Sequence, residues 1–169
     1  QKLLAGKDVN VNVTDHTGAT ALWMACHLCH RNVAEALLEV KGIDVNLANK
    51  QGKTPVMAAI DGAGTTNDWD KPEVYEAIAD SLMLRSDIDL ASKTIDDSMT
   101  ALLFAVKHGR LHVVRRLVSL PGVDLNATCK VDSGDDKDRI CAVAWAKKER
   151  HYDIVKHLIS VGAKETVEL

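Results

Sequence analysis

Large rings are nearly missing from this 169-residue chain: Phe, Trp and Tyr make up 4% of it, while apolar residues make up 46%. An interior built from such a set packs small aliphatic side chains in close layers. Proline occurs three times and cysteine four times. Cys26, Cys29, Cys129 and Cys141 are too few for the disulfide framework of a small secreted scaffold. Reduced thiols and a cytoplasmic or nuclear location are therefore expected. Charge of one sign is not in excess, since the formal net charge is −3. That gives no general attraction to phosphate backbones or anionic lipid, so nucleic acid and membranes are not expected partners, although a local patch remains open. No apolar run approaches the eighteen or so residues of a membrane-spanning helix. No secretory signal opens the chain. Nucleophile elbows, phosphate loops, H-E-x-x-H and paired carboxylates are absent too, so no catalytic residues are assigned and the chain is expected not to be an enzyme.

What is present is repetition. From Asp15 the chain reads "DHTGATALWMACHLCHRNVAEALLEVKGIDVNLA", and from Asn49 "NKQGKTPVMAAIDGAG", then after an interruption "EVYEAIADSLMLRSDIDLA". "DDSMTALLFAVKHGRLHVVRRLVSLPGVDLNA" starts at Asp96, and "DKDRICAVAWAKKERHYDIVKHLISVGAK" starts at Asp136. Thr20, Thr54, Thr100 and Cys141 occupy one position of the pattern. Val33, Ile78, Val113 and Ile154 begin a second apolar stretch thirteen residues later, or twenty-four in the second unit. The pairs Leu37 and Leu38, Leu82 and Met83, Leu117 and Val118, Leu158 and Ile159 follow at helical spacing, which predicts one buried helix face repeated four times. Glycine before "IDVN", "VDLN" and "AKET" is expected to stop each of those helices.

These units resemble the ankyrin repeat, a motif of about 33 residues with a T-P-L-H-x-A signature, a hairpin turn and two helices. The resemblance covers nearly the whole chain. It implies an all-α repeat solenoid of stacked helix pairs with short β-hairpin fingers, forming a single ankyrin domain over 1–169. The expected divisions are a partial repeat at 1–14 and repeats at about 15–48, 49–91, 92–127 and 128–169. The front segment matches only the end of a unit, so the array is expected to begin upstream. The second repeat carries an insert at about 62–72, in which Gly62 and Gly64 break the first helix and Pro72 starts the next. The fourth has a lengthened finger at about 128–139, whose acidic "DSGDDKD" lacks the ligand spacing of a calcium loop.

The stretch "CHLCH", Cys26 to His30, satisfies C-x-x-C-H, which attaches haem covalently, and its thiols and imidazoles also suit zinc. A metal- or haem-binding module centred there is the alternative function. The repeat register accounts for it otherwise: Cys29 falls on the glycine and His30 on the histidine of the family's A-A-x-x-G-H step, with "AVKHGR" and "AKKERH" at the same place in later units. No cofactor and no metal ligand is therefore expected, and His30 is expected to bond nearby backbone.

The function that the resemblance implies is binding of a folded protein or peptide in a concave groove by a monomeric, non-catalytic module. The family contacts partners through finger tips and the exposed side of the first helix. By register these are His16, Thr17, Ala19, His27 and Leu28 in the first repeat. In the second they are Lys50, Gln51, Lys53 and Asp61, with Trp69 added from the insert as a candidate hot-spot ring. Asp96, Asp97, Met99, Lys107 and His108 follow in the third, and Lys137, Asp138, Ile140, Lys148 and Glu149 in the fourth. Asn46 and Asn126 are expected to bond backbone within their own hairpin turns.

Overall fold

A computed structural model describes residues 10–62, 72–131 and 139–165 of the chain. The contacts divide it into two compact units, residues 1–88 and 89–169. Unit 1 contains α1 (Ala21–His27), α2 (Arg31–Leu38), α3 (Pro55–Asp61) and α4 (Pro72–Met83). Unit 2 contains α5 (Ala101–Lys107), α6 (Leu111–Val118), the strands β1 (Thr128–Lys130) and β2 (Arg139–Cys141), then α7 (Ala142–Lys148) and α8 (Tyr152–Ser160). The helices form four pairs, as the repeat pattern predicts.

The threonine position starts the first helix of each pair. Thr20 and Thr100 are extended N-caps whose Oγ1 atoms accept from the N–H of Trp23 and Leu103. Thr54 caps α3 without a side-chain bond, and Pro55, which has no N–H to satisfy, supplies the first turn instead. Cys141 holds the same place at the start of α7.

The first helix ends in a turn that every described pair shares wherever no insert intervenes. Cys29, Gly109 and Arg150 all adopt positive φ, at 56°, 67° and 62°. Around them the N–H groups of His30, Arg110 and His151 donate to Ala25, Ala105 and Ala146, at 2.9, 2.9 and 2.8 Å. This six-to-one bond across a left-handed residue closes the carbonyl end of a helix. The residues differ while the hydrogen bonds do not.

In unit 1, α1 packs on α3 and α2 on α4; in unit 2, α5 packs on α7 and α6 on α8. Leu22, Met57, Ile60, Ile78 and Leu82 fill the first interior, and Leu102, Leu103, Leu117, Ile154 and Leu158 the second. Of the expected apolar pairs, the first member is buried every time. The second is buried only as Met83; Leu38 and Val118 are half-buried and Ile159 is exposed. One residue further along turns the side chain about 100° around the axis, which carries it to the rim of the buried stripe. Val33 is likewise 51% exposed, with Ala34 taking the buried place beside Leu37.

Two other expectations are corrected. Gly162 follows the C-cap of α8 directly, at φ 92°. Gly42 and Gly122 instead lie beyond the C-caps Glu39 and Ser119, in a separate turn. The asparagine side chains reach beyond their own turns. Asn46 Nδ2 donates to Asp87 O, 41 residues on, and Asn126 Oδ1 accepts from Lys164 N–H, 38 residues on. Asn12 makes the same link earlier, to Gly42 O and Asp44 N–H. The turns at Asn46 and Asn126 are held by Asp44 and Asp124, whose Oδ1 atoms accept from the N–H two residues later, as Asn10 Oδ1 does for Asn12 and Asp89 Oδ1 for Ala91. At Asn46 and Asn126 the carboxylate therefore shapes the turn, and the amide ties it to the next repeat.

Candidate functional site

The fingers of unit 1 are built on one side-chain oxygen each. Asp15 Oδ1 accepts from the N–H of Thr17 and Ala19, at 2.8 and 2.9 Å, and Asn49 Oδ1 from those of Gln51 and Lys53, at 3.0 Å each. Gly18 and Gly52 supply the positive φ that closes the turns. The bond from the Thr17 hydroxyl, followed by backbone donors, holds the Asp15 carboxyl below its ordinary pKa, which keeps the acceptor charged. Lys50 N–H then donates to Thr17 O at 2.9 Å, joining neighbouring tips. A side chain on Gly18 would collide there, since its Cβ would lie 2.9 Å from Lys50 N.

The third finger reaches the same shape with other residues. Ile95 stands where Asp15 and Asn49 do and offers no acceptor. Thr94 Oγ1 accepts from Met99 N–H at 2.7 Å and bonds Asp97, while Ser98 takes the positive φ. Lys130 N–H donates to Asp97 O at 2.8 Å, the counterpart of the Lys50 link. In the fourth finger β1 and β2 pair antiparallel, with Cys129 opposite Ile140.

The register places most expected contact residues at the surface. His16, Thr17, Lys50, Gln51, Asp96, Lys107, His108, Lys148 and Glu149 are exposed; Leu28, Asp97 and Ile140 are half-buried. Ala19 and Met99 are buried, at 3% and 1% exposure, because both precede the cap residue and turn inward under the finger. They support the tips rather than offer contacts. Trp69, Lys137 and Asp138 lie outside the described residues, as do Gly64 and the acidic stretch 132–138.

Three expected residues form one cluster in unit 1. Lys53 Nζ and Asp61 Oδ2 are an ion pair, with side chains only 12% and 23% exposed. His27 lies close by, its ring centroid 4.9 Å from that of Trp23. Trp23 Nε1 in turn donates to Lys53 O at 2.7 Å, so the indole clamps the second finger to α1. Desolvation, then the Lys53 charge, lowers the His27 pKa, with Asp61 opposing. Gly62 closes the far side; a Cβ there would sit 2.5 Å from His27 O. The sequence reading missed Trp23, which the register places on the helix without disclosing its bond.

The "CHLCH" residues diverge. Cys26 is fully buried, and burial pushes its thiol up to about 12. Cys29 is half-buried in the turn and His30 exposed, an N-cap making no side-chain cap bond, against the expectation that it would bond backbone. Cys129 is also buried and raised to about 12, by burial and then by Asp97. Thiols so disfavoured as thiolates are poor nucleophiles and poor ligands. Among the described residues no group of three or more His, Cys, Asp or Glu side chains is placed to hold a metal ion. Nor is any helix among them long and apolar enough to cross a membrane.

The family profile described as ankyrin repeats, three copies, matches residues 1–67 and 73–168. The chain belongs to the ankyrin-repeat family. Ankyrin repeats are generally protein-interaction modules and generally non-catalytic. The ankyrin chain is 28% identical over 157 residues to neurogenic locus notch homolog protein 1 of Cricetulus griseus, and 27% identical to that of Homo sapiens. Each match takes in 93% of the chain but only 5% of the relative's length. Over 58 residues, 34% of the chain and 2% of the relative, it is 40% identical to ankyrin repeat and KH domain-containing protein mask-1 of Caenorhabditis elegans.

Proposed function

We propose that the chain binds another protein or a peptide, without catalysis, through its finger tips and the exposed side of the first helix of each pair. The observation that carries this reading is the backbone link between neighbouring tips, Lys50 to Thr17 in unit 1 and Lys130 to Asp97 in unit 2. Loops tied in this way present side chains in a fixed row, so that little conformational entropy is lost on binding. His16, Lys50 and Gln51 form one such row, mixing basic and neutral groups, while Asp96 adds acid in unit 2. Mixed chemistry suits a folded protein or peptide surface better than a polyanion. Such a module works as a monomer, in the cytoplasm or nucleus.

The test is pull-down of the partner by the whole chain, identified by mass spectrometry, with two charge-reversed variants. Lys50→Glu with Asp96→Lys should lose the partner at an unchanged melting temperature, since exposed substitutions outside caps and core stay within about 0.5 kcal/mol. Glu39→Lys at the exposed C-cap of α2, with Arg115→Glu on the exposed face of α6, should retain it. If the second pair abolished capture and the first did not, the binding surface would lie on the second helices and this assignment would fall.

A further inference from the structure

One surface of unit 2 has a chemistry that the finger row lacks. The turn from α5 to α6 and the turn from α7 to α8 lie directly against each other: a Cβ on Gly109 would stand 2.7 Å from His151 Cε1. From Lys107 to Arg116 the chain has Lys107, Arg110, Arg115 and Arg116 and no carboxylate, with Arg110 buried. From Lys147 to Lys156 it has Lys147, Lys148, Arg150 and Lys156 against Glu149 and Asp153. Lys147 is paired with Glu165. Lys107, Lys148 and Arg150 are exposed and take part in no ion pair among the described residues. Tyr152, two residues beyond Arg150, is 63% exposed. The matching turn of unit 1 has no such excess, since its Arg31 is bonded to Glu35 at 2.7 Å.

We propose that the edge formed by Lys107, Lys148, Arg150 and Tyr152 is a docking surface for an acidic protein segment that carries an apolar side chain. Cations without an ion-pair partner among the described residues, on adjacent turns, are open to carboxylates, and the Arg150 guanidinium can donate two parallel bonds to one. Tyrosine and arginine are both enriched among the residues that dominate interface energies, and the ring contributes apolar area and a hydroxyl at little entropic cost. Glu149 and Asp153 set the class of partner. A nucleic-acid strand carries charge at every step and would lay phosphates over both carboxylates, whereas a peptide can place neutral residues opposite them. The proposal deepens the reading above, of which it needs only that the chain binds proteins.

The experiment is fluorescence anisotropy of a short labelled peptide of glutamates interspersed with leucine, titrated with the whole chain. Binding should weaken between low salt and about 0.15 M, as charge pairing is screened. Lys148→Glu with Arg150→Glu should weaken it by about tenfold or more, while Lys41→Glu with Lys93→Glu, the same change of net charge at other exposed positions, should alter it by less than about twofold. Lys148→Gln with Arg150→Gln should fall between. Tyr152→Ala should reduce affinity for the leucine-bearing peptide more than for one with serine in its place. Equal loss from both glutamate pairs, tighter binding of a DNA duplex than of the peptide, or no peptide binding even at low salt would each overturn the proposal. The finger reading is tested separately, since its Lys50 and Asp96 variants leave this edge intact.

Discussion

The turn at Cys29 in unit 1 and the turns at Gly109 and Arg150 in unit 2 have the same backbone and different surface chemistry. All three close a first helix with a left-handed residue and a six-to-one hydrogen bond. One is flanked by His27, Leu28 and a bonded Arg31; the others carry Lys107, Lys148 and Arg150. Main-chain bonds fix the turn, so its side chains are released from structural duty and can diverge. Fingers repeat the lesson: Asp15 and Asn49 do with one oxygen what Thr94 and Asp97 do together.

The strongest way to break the equivalence of the units is through their interiors. Leu117→Ala, at a fully buried site, should cost about 3 kcal/mol in urea unfolding, and the half-buried neighbour Val118→Ala less than about 1 kcal/mol. Similar losses from both would mean that the buried stripe of α6 is wider than described.

Unit 1 alone has the Lys53–Asp61 pair under the Trp23 clamp. Lys53→Glu should cost about 2 kcal/mol, because two carboxylates would then share a largely enclosed place. Restoring an opposite charge in Lys53→Glu with Asp61→Lys should recover part of that loss. An unchanged melting curve for the single variant would show that the pair contributes nothing.

The shared turn is tested by exchanging its residues. Gly109→Ala should cost about 1–2 kcal/mol, from left-handed strain and the His151 ring, whereas Cys29→Gly should gain up to about 1 kcal/mol. Opposite signs sharpen the equivalence; equal signs would end it. Asn46→Ala should remove its bond to Asp87 O at a cost of about 1 kcal/mol, a value that Asn126→Ala in unit 2 should match.

The smallest effect is one of pH. The His27 pKa is lowered in the folded state, so below about 6.5 the unfolded chain binds the proton first and stability falls with pH. His27→Gln should flatten that decline between pH 7.5 and 5.5, read as urea midpoints. A parallel decline in both proteins would remove His27 from the account.

Much of this fold is legible in the residues. The recurring threonines, the thirteen-residue spacing and the alignment of Cys29 with a glycine predict four helix pairs and the step between their helices, because propensity and period act locally. Leu37, Leu82, Leu117 and Leu158 are read correctly as core for the same reason, since each recurs at the centre of an apolar stripe. The failures come where the deciding contact is distant. Ala19 and Met99 fit the contact register but are buried beneath their own fingers, and Val33 is apolar yet exposed.

Sequence by itself therefore determined the family, the pairing of helices and the turn that absorbs "CHLCH", all consequences of short-range hydrogen bonding and helical period. Only the tertiary structure decided that Asn46 and Asn126 reach into the following repeat, that Lys53 is enclosed with Asp61 beneath Trp23, and that Lys107 lies on the same edge as Arg150. These relations join residues some thirty or forty positions apart. Their geometry follows from how helix pairs stack, a property of side-chain volume summed over whole layers rather than of any local string.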